Sequence, residues 1–176
     1  MKRIIQALLF DKVAFEGFEK GAGMLALAGI IVFFAGLSAS LGTIFAPVDS
    51  PYQLHSMVIM FLVLVSAFLT WLVWAGLSYL IGTKVLRGQA TFKEILRNLG
   101  FAYLPILLSA LLALPNLRVG LLVMFILLVW MAIIGYVAVM GAEKFGVIKG
   151  LVTTVLCWLV GMAAIANVLT STRLIS

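Results

Sequence analysis

The chain has 176 residues, of which 65% are hydrophobic and 10% charged. A soluble domain of this length has too little interior for that apolar fraction, so composition excludes the soluble globular class and points to an integral membrane protein. The net charge of +6 sits between apolar runs rather than in one patch, which argues against a nucleic-acid partner and for anionic headgroups, each Lys or Arg near a membrane surface contributing about 1 kcal/mol.

Residues 1–20 place Ile4, Leu8, Phe15 and Phe18 on one helical face, with Lys2, Arg3, Lys12, Glu16 and Lys20 mostly elsewhere. This pattern predicts an amphipathic helix lying on the cytoplasmic leaflet. The Met-Lys-Arg start imitates a signal peptide, but Asp11 and Lys12 end its short apolar run and no small-x-small cleavage site follows.

An uncharged run over 22–46 is long enough to cross a hydrocarbon core of about 30 Å. Small residues recur in it at four-residue spacing, Ala35 with Ala39 and Gly36 with Ser40, which lets a second backbone come close. The face they form is expected to pack within the chain, with a partner subunit as the alternative. The connection 46–55 holds two prolines and no Lys or Arg; its Asp49 and His55 are too few to make a metal site.

The second span is expected over 56–82, with Trp71, Trp74 and Ser78 on one face for core packing. A basic loop follows, with Lys84, Arg87 and Lys93 flanking Gly88 as turn residue. From Thr91 the pattern changes. Phe92, Ile95, Leu96 and Leu99 recur at i, i+3, i+4 and i+7, while Lys93, Glu94, Arg97 and Asn98 fill the opposite face. This reads as a surface helix that turns into a third span over 95–114, uncharged from Leu99 onward. Gly100 stands near the junction, and Pro105 removes a backbone donor and should kink the crossing. A fourth span is expected over 119–141 and a fifth over 150–170, joined by the charged connection 142–149. The lone cysteine, Cys157, has no partner for an intramolecular disulfide.

The fold class is therefore all-α, with five transmembrane helices preceded by an interfacial helix, in one domain covering 1–176. Lys2, Arg3, Lys12, Lys20, Lys84, Arg87, Lys93, Arg97, Lys144 and Lys149 fall on one side of five spans, and Arg118 and Arg173 on the other. That asymmetry puts the N-terminus in the cytoplasm and the C-terminus outside. Lys2, Arg3, Lys12, Lys84, Arg87, Lys93 and Arg97 are the candidates for headgroup contact.

With the third taken from its uncharged part, 99–114, the spans lack the intramembrane Asp, Glu, Lys, Arg and His from which proton relays and ion pathways are built. Neither a hydrolytic pair nor a phosphate-binding loop with its lysine occurs. No enzyme, cofactor or metal is expected. Scattered Ser, Thr and Asn residues suit interhelical bonds averaging about 0.6 kcal/mol.

A basic loop followed by Thr-Phe-Lys-Glu-Ile-Leu-Arg-Asn-Leu-Gly-Phe-Ala-Tyr-Leu-Pro over 91–105 resembles the Yip domain family, Ypt/Rab-interacting membrane proteins and their prokaryotic relatives. The family pattern is a Gly-rich turn, Ser/Thr-Phe, a charged helical turn and Gly-Tyr-Ala-x-x-Pro. Gly88, Thr91, Phe92, Gly100, Ala102 and Pro105 match it, and Phe101 stands where Tyr is usual. The resemblance implies five spans with a cytoplasmic N-terminus. Eukaryotic members are associated with prenylated Rab GTPases and carry a long cytosolic region with an acidic Asp-Leu-Tyr-Gly-Pro-like motif. That motif is absent here, so the resemblance is to a prokaryotic member in the plasma membrane, sometimes linked to export machinery. The implied role is a non-catalytic scaffold or accessory subunit, whose partners are membrane lipids and other membrane protein subunits. The alternative is a passive permease or channel for a small neutral solute, lined by hydroxyls.

Overall fold

The computed structural model describes residues 23–45, 56–113, 116–144, 146–157 and 159. The interfacial helix expected over 1–20, Lys2, Arg3 and Lys12 with it, Asp49 and His55, and the far end of the fifth span lie outside the described residues. The fold is an all-α membrane fold, as expected. Its helices are α1 (Met24–Phe45), α2 (Ser56–Tyr79), α3 (Phe92–Phe101), α4 (Leu117–Glu143) and α5 (Val147–Cys157). Four stretches are long and apolar enough to cross a membrane: Met24–Phe45, Met57–Val85, Phe92–Leu111 and Arg118–Glu143.

Several helices settle polar groups within themselves, as an apolar solvent favours. In α1 the hydroxyls of Ser40 and Thr43 donate to the carbonyls of Leu37 and Ala39, at 2.7 and 2.8 Å. Asn116 caps α4, its Oδ1 accepting from the amides of Arg118 and Val119 at 3.0 and 3.4 Å. At the other end Lys144 turns left-handed, with φ 56°, and its amide returns to the Met140 carbonyl.

The third span is the most enclosed of the four. It is broken in two: α3 ends at Phe101, a turn follows, and Leu104–Ala113 continues as a 3₁₀ helix with Pro105 second. The break precedes the proline because the ring disfavours an α conformation in the residue before it. Ten residues reach about 20 Å as a 3₁₀ helix against about 15 Å as an α-helix, so a short segment gains length across the bilayer. Ser38 of α1 enters this segment. Its hydroxyl donates to the Leu107 carbonyl at 2.7 Å and accepts from the Ala110 amide at 3.0 Å. Those two groups are the ones a 3₁₀ turn would bond to each other. Ser109 donates to the Ile106 carbonyl at 2.6 Å and lies 3.4 Å from Ser38.

The packing of α3 corrects the surface-helix reading. Ile95 and Leu99 are buried, as the apolar stripe requires, but so are Arg97, 8% exposed, and Asn98, 0% exposed. Both amide atoms of Asn98 lack a hydrogen-bond partner among the described residues. The helix packs against α1, α2 and α4, so the Arg97 and Asn98 part of its polar face meets protein, while Lys93 stays exposed. The Trp71 indole of α2 donates to the Leu96 carbonyl at 2.9 Å, and the Tyr103 hydroxyl donates to the Ala67 carbonyl at 3.4 Å. Trp71, Trp74 and Ser78 are all buried, and the Trp74 ring lies against Gly135 of α4.

Gly36, on the small-residue face of α1, lies against α2. A β-carbon on Gly36 would stand 2.9 Å from Leu64 Cδ1 and 3.3 Å from Ala67 Cβ. Ala35 and Ser40 are buried and Ala39 is partly so. Gly36→Leu is therefore expected to lower the thermal midpoint in detergent, because overpacking costs about 1–3 kcal/mol. Gly36→Ala should be milder, since its nearest neighbour is the end of a flexible leucine. An unchanged midpoint for Gly36→Leu, measured by detergent unfolding, would show that α1 and α2 are not in contact there.

Candidate functional site

The connections after α2 and after α4 meet at one end of the bundle. Past Tyr79 the second span widens into a π-helical turn, Leu80–Val85, in which the Leu86 amide reaches back to the Ile81 carbonyl at 3.0 Å. Such turns recur at functional positions. The chain then doubles back, the Gly88 amide donating to the Gly82 carbonyl at 3.0 Å. The left-handed residue of this loop is Arg87, with φ 58°, and no described glycine has positive φ. Gly88, expected as the turn residue, contributes its amide instead.

Glu143, the last residue of α4, is 1% exposed and points into this loop. Its Oε1 accepts from the Thr83 hydroxyl at 2.7 Å, and its Oε2 accepts from the Ala90 amide at 3.2 Å. Thr83 Oγ1 also stands 3.3 Å from the Ala90 carbonyl. The carboxylate lies over Gly82, where a β-carbon would come 2.5 Å from Oε1 and 3.0 Å from Cδ. Glycine at 82 is what admits the acid. One carboxylate thus joins α4, the π turn and the approach to α3.

The next residue begins a second device. Thr91 caps α3: its hydroxyl accepts from the Glu94 amide at 3.3 Å, and the Glu94 carboxylate accepts from the Thr91 amide at 2.7 Å. This is a capping box, Thr-x-x-Glu, and it gives the Thr91 of the sequence motif a physical role. Adjacent amides, Ala90 and Thr91, are therefore held by two different acids. Phe92 is 41% exposed and meets the Tyr79 ring edge-on at 6.1 Å, and Lys84 Nζ lies 5.8 Å above that ring.

Lys84, Arg87 and Lys93 are exposed around this junction, joined by Lys144 and Lys149 from the other connection. Lys149 Nζ donates to the Leu86 carbonyl at 3.3 Å. Arg97, expected with the headgroup contacts, is instead enclosed in the bundle. The remaining motif residues serve the fold: Gly100 lies against Ala28 of α1, Ala102 is buried at the turn, and Pro105 opens the 3₁₀ helix. Among the described residues no group of His, Cys, Asp and Glu is placed to hold a metal ion. The arrangement binds polar groups of its own chain and builds a stiff, cationic end.

Sequence reading missed Glu143. Its partners, Thr83 and Ala90, are 60 and 53 residues away along the chain, and a glutamate beside Lys144 looks like part of a solvated connection. The signal that was present is its position one turn beyond Val139 on a buried stripe, preceded by Gly141 and Ala142. The Thr91-x-x-Glu94 box was legible by spacing alone.

No curated protein and no solved structure matches the chain. The family description for the Yip1 domain matches residues 7–168, nearly the whole sequence, and so takes in both connections that build the Glu143 junction. The chain belongs to the Yip1 domain family.

Proposed function

We propose that the protein is a non-catalytic scaffold or accessory subunit of a larger membrane assembly, with its whole length forming one Yip-type unit. It resides in a prokaryotic plasma membrane with the N-terminus in the cytoplasm and the C-terminus outside. The observation that carries this reading is the Glu143 junction, which fixes Lys84, Arg87, Phe92 and Lys93 relative to one another at one end of the bundle. A cationic end with an exposed aromatic suits anionic headgroups and a partner's acidic loop. Lys2, Arg3 and Lys12 add to the same cytoplasmic charge in this reading.

The hydroxyls that a neutral-solute path would need are otherwise engaged. Ser38 and Ser109 bond the 3₁₀ segment, and Thr153 and Thr154 donate to the carbonyls of Lys149 and Gly150 at 2.9 and 3.0 Å. This supports the scaffold reading over a passive permease. Affinity purification in mild detergent is expected to recover other membrane proteins at fixed ratio, and Lys84→Glu with Arg87→Glu to lose them without loss of folding. A chain that purifies alone and lets a neutral solute through liposomes would favour the permease.

The orientation has its own test. A reporter active only in the cytoplasm is expected to be silent when fused after Ser176 and active when fused at Arg87. Activity at Ser176 would mean that an even number of spans is crossed.

A further inference from the structure

Asn98 stands in the last turn of α3, where the third span breaks. Its side chain is fully buried, and neither Oδ1 nor Nδ2 has a hydrogen-bond partner among the described residues. In a continuous α-helix its backbone carbonyl would take the Ala102 amide, four residues on. That amide is turned instead to the Leu99 carbonyl at 3.1 Å, and the Tyr103 amide goes to the Gly100 carbonyl at 3.3 Å. We propose that Asn98 binds a water molecule at this break, held by its carboxamide and by its backbone carbonyl.

The chemistry selects water. A carboxamide carries a donor and an acceptor on one carbon, so its ligand must both accept and donate. A simple cation or anion does only one of these. Leaving both atoms unpaired in an interior of low dielectric is costly, and in a membrane span no bulk solvent stands by to relieve the cost. Buried waters make about three hydrogen bonds to polar groups that otherwise lack partners. A donor and two acceptors on one residue meet that need.

The surroundings select a small ligand. Ile95, Phe101 and Ala102, three or four residues from Asn98, flank it along the helix. All three are apolar and fully buried. Glu94, one turn back, has its carboxylate on the Thr91 amide at 2.7 Å. With the Asn98 side chain itself closed off from the surface, a larger polar molecule has no way in.

The place in the span gives the water a task. Proline is tolerated in membrane helices where side chains or ordered waters take up the backbone groups it frees. Beyond Pro105 the Ser38 hydroxyl does this, on the Leu107 carbonyl and the Ala110 amide. Before Pro105 the water on Asn98 does it. The site lies outside the Glu143 junction, so it stands or falls independently of the scaffold reading.

The test uses the full chain in detergent micelles with its asparagines labelled with nitrogen-15. The Asn98 carboxamide, identified as the signal pair lost in Asn98→Gln, is expected to show a nuclear Overhauser effect to water with the sign of a molecule held for nanoseconds or longer. Asn116, exposed at the cap of α4, should show only the sign of freely exchanging water. Asn98→Leu should lower the thermal midpoint, because the carbonyl loses its water while apolar bulk is added. A higher midpoint would mean that a dry, unpaired amide had been relieved, and would overturn the proposal. Absence of the water signal in wild type overturns it as well. Contacts from the Asn98 carboxamide to another polar side chain in place of water would overturn it in favour of a protein partner.

Discussion

Gly100→Ala is expected to cost the protein more stability than a single methyl group ordinarily does. On intrinsic helix propensity the change is favourable by about 1 kcal/mol. At this position the new β-carbon would lie 2.5 Å from Ala28 Cβ and 3.0 Å from Ala28 Cα. The second of those atoms is backbone and cannot swing aside, so α1 and α3 must separate. Overpacking of a filled interior costs about 1–3 kcal/mol, which outweighs the propensity gain, and roughly 2–4 °C of thermal midpoint accompanies each kcal/mol in a chain of this size. Ala28→Gly added to Gly100→Ala should recover part of the loss, because it removes one of the two clashes. Unfolding in detergent across this double-mutant cycle decides the matter. If Gly100→Ala unfolds at the wild-type temperature, the two helices do not cross where they are placed here.

Glu143→Ala is expected to loosen the basic end of the bundle while leaving the spans inserted. It strips the acceptor from the Thr83 hydroxyl and the Ala90 amide together. The Thr83 hydroxyl keeps the Ala90 carbonyl at 3.3 Å, but the buried Ala90 amide is left without a partner, at a cost of about 1–3 kcal/mol. Glu143→Gln should be intermediate, since its carbonyl can still accept from Thr83 while its amide meets the Ala90 donor with a donor. The readout that separates this from general destabilisation is tryptic cleavage after the exposed Arg87. Cleavage should accelerate in Glu143→Ala with the rest of the fragment pattern unchanged. Gly82→Ala should do the same by pushing the carboxylate out, and combining the two should add little. A cleavage rate at Arg87 that no variant alters would show that the carboxylate does not hold the loop.

The spans were legible because their signal is long, uncharged and local. The run 22–46 contains the helix Met24–Phe45, and 119–141 falls within Leu117–Glu143. The break in the third span was legible from Pro105, though its form was not. A proline announces a missing donor, while the 3₁₀ continuation is also contacted by Ser38, which comes from another helix. The polar face of α3 misled for a general reason. Periodicity shows that a helix has two faces and says nothing of what each one meets. Arg97 and Asn98 share a face with Glu94 in any helical drawing, and only tertiary packing decides that Asn98 is enclosed. Glu143 was hidden for the same reason, its acceptor role being defined by residues in a different connection.

Ser38 also bears on how the chain is assembled. A segment entering the membrane from the insertion machinery must satisfy its backbone before it meets lipid. In the 3₁₀ stretch Leu104–Ala113 the Leu107 carbonyl and the Ala110 amide both bond a hydroxyl of α1. The first helix is synthesised before the third and is already in place when that stretch emerges. The early helix acts as a template on which a later, intrinsically poor span is received.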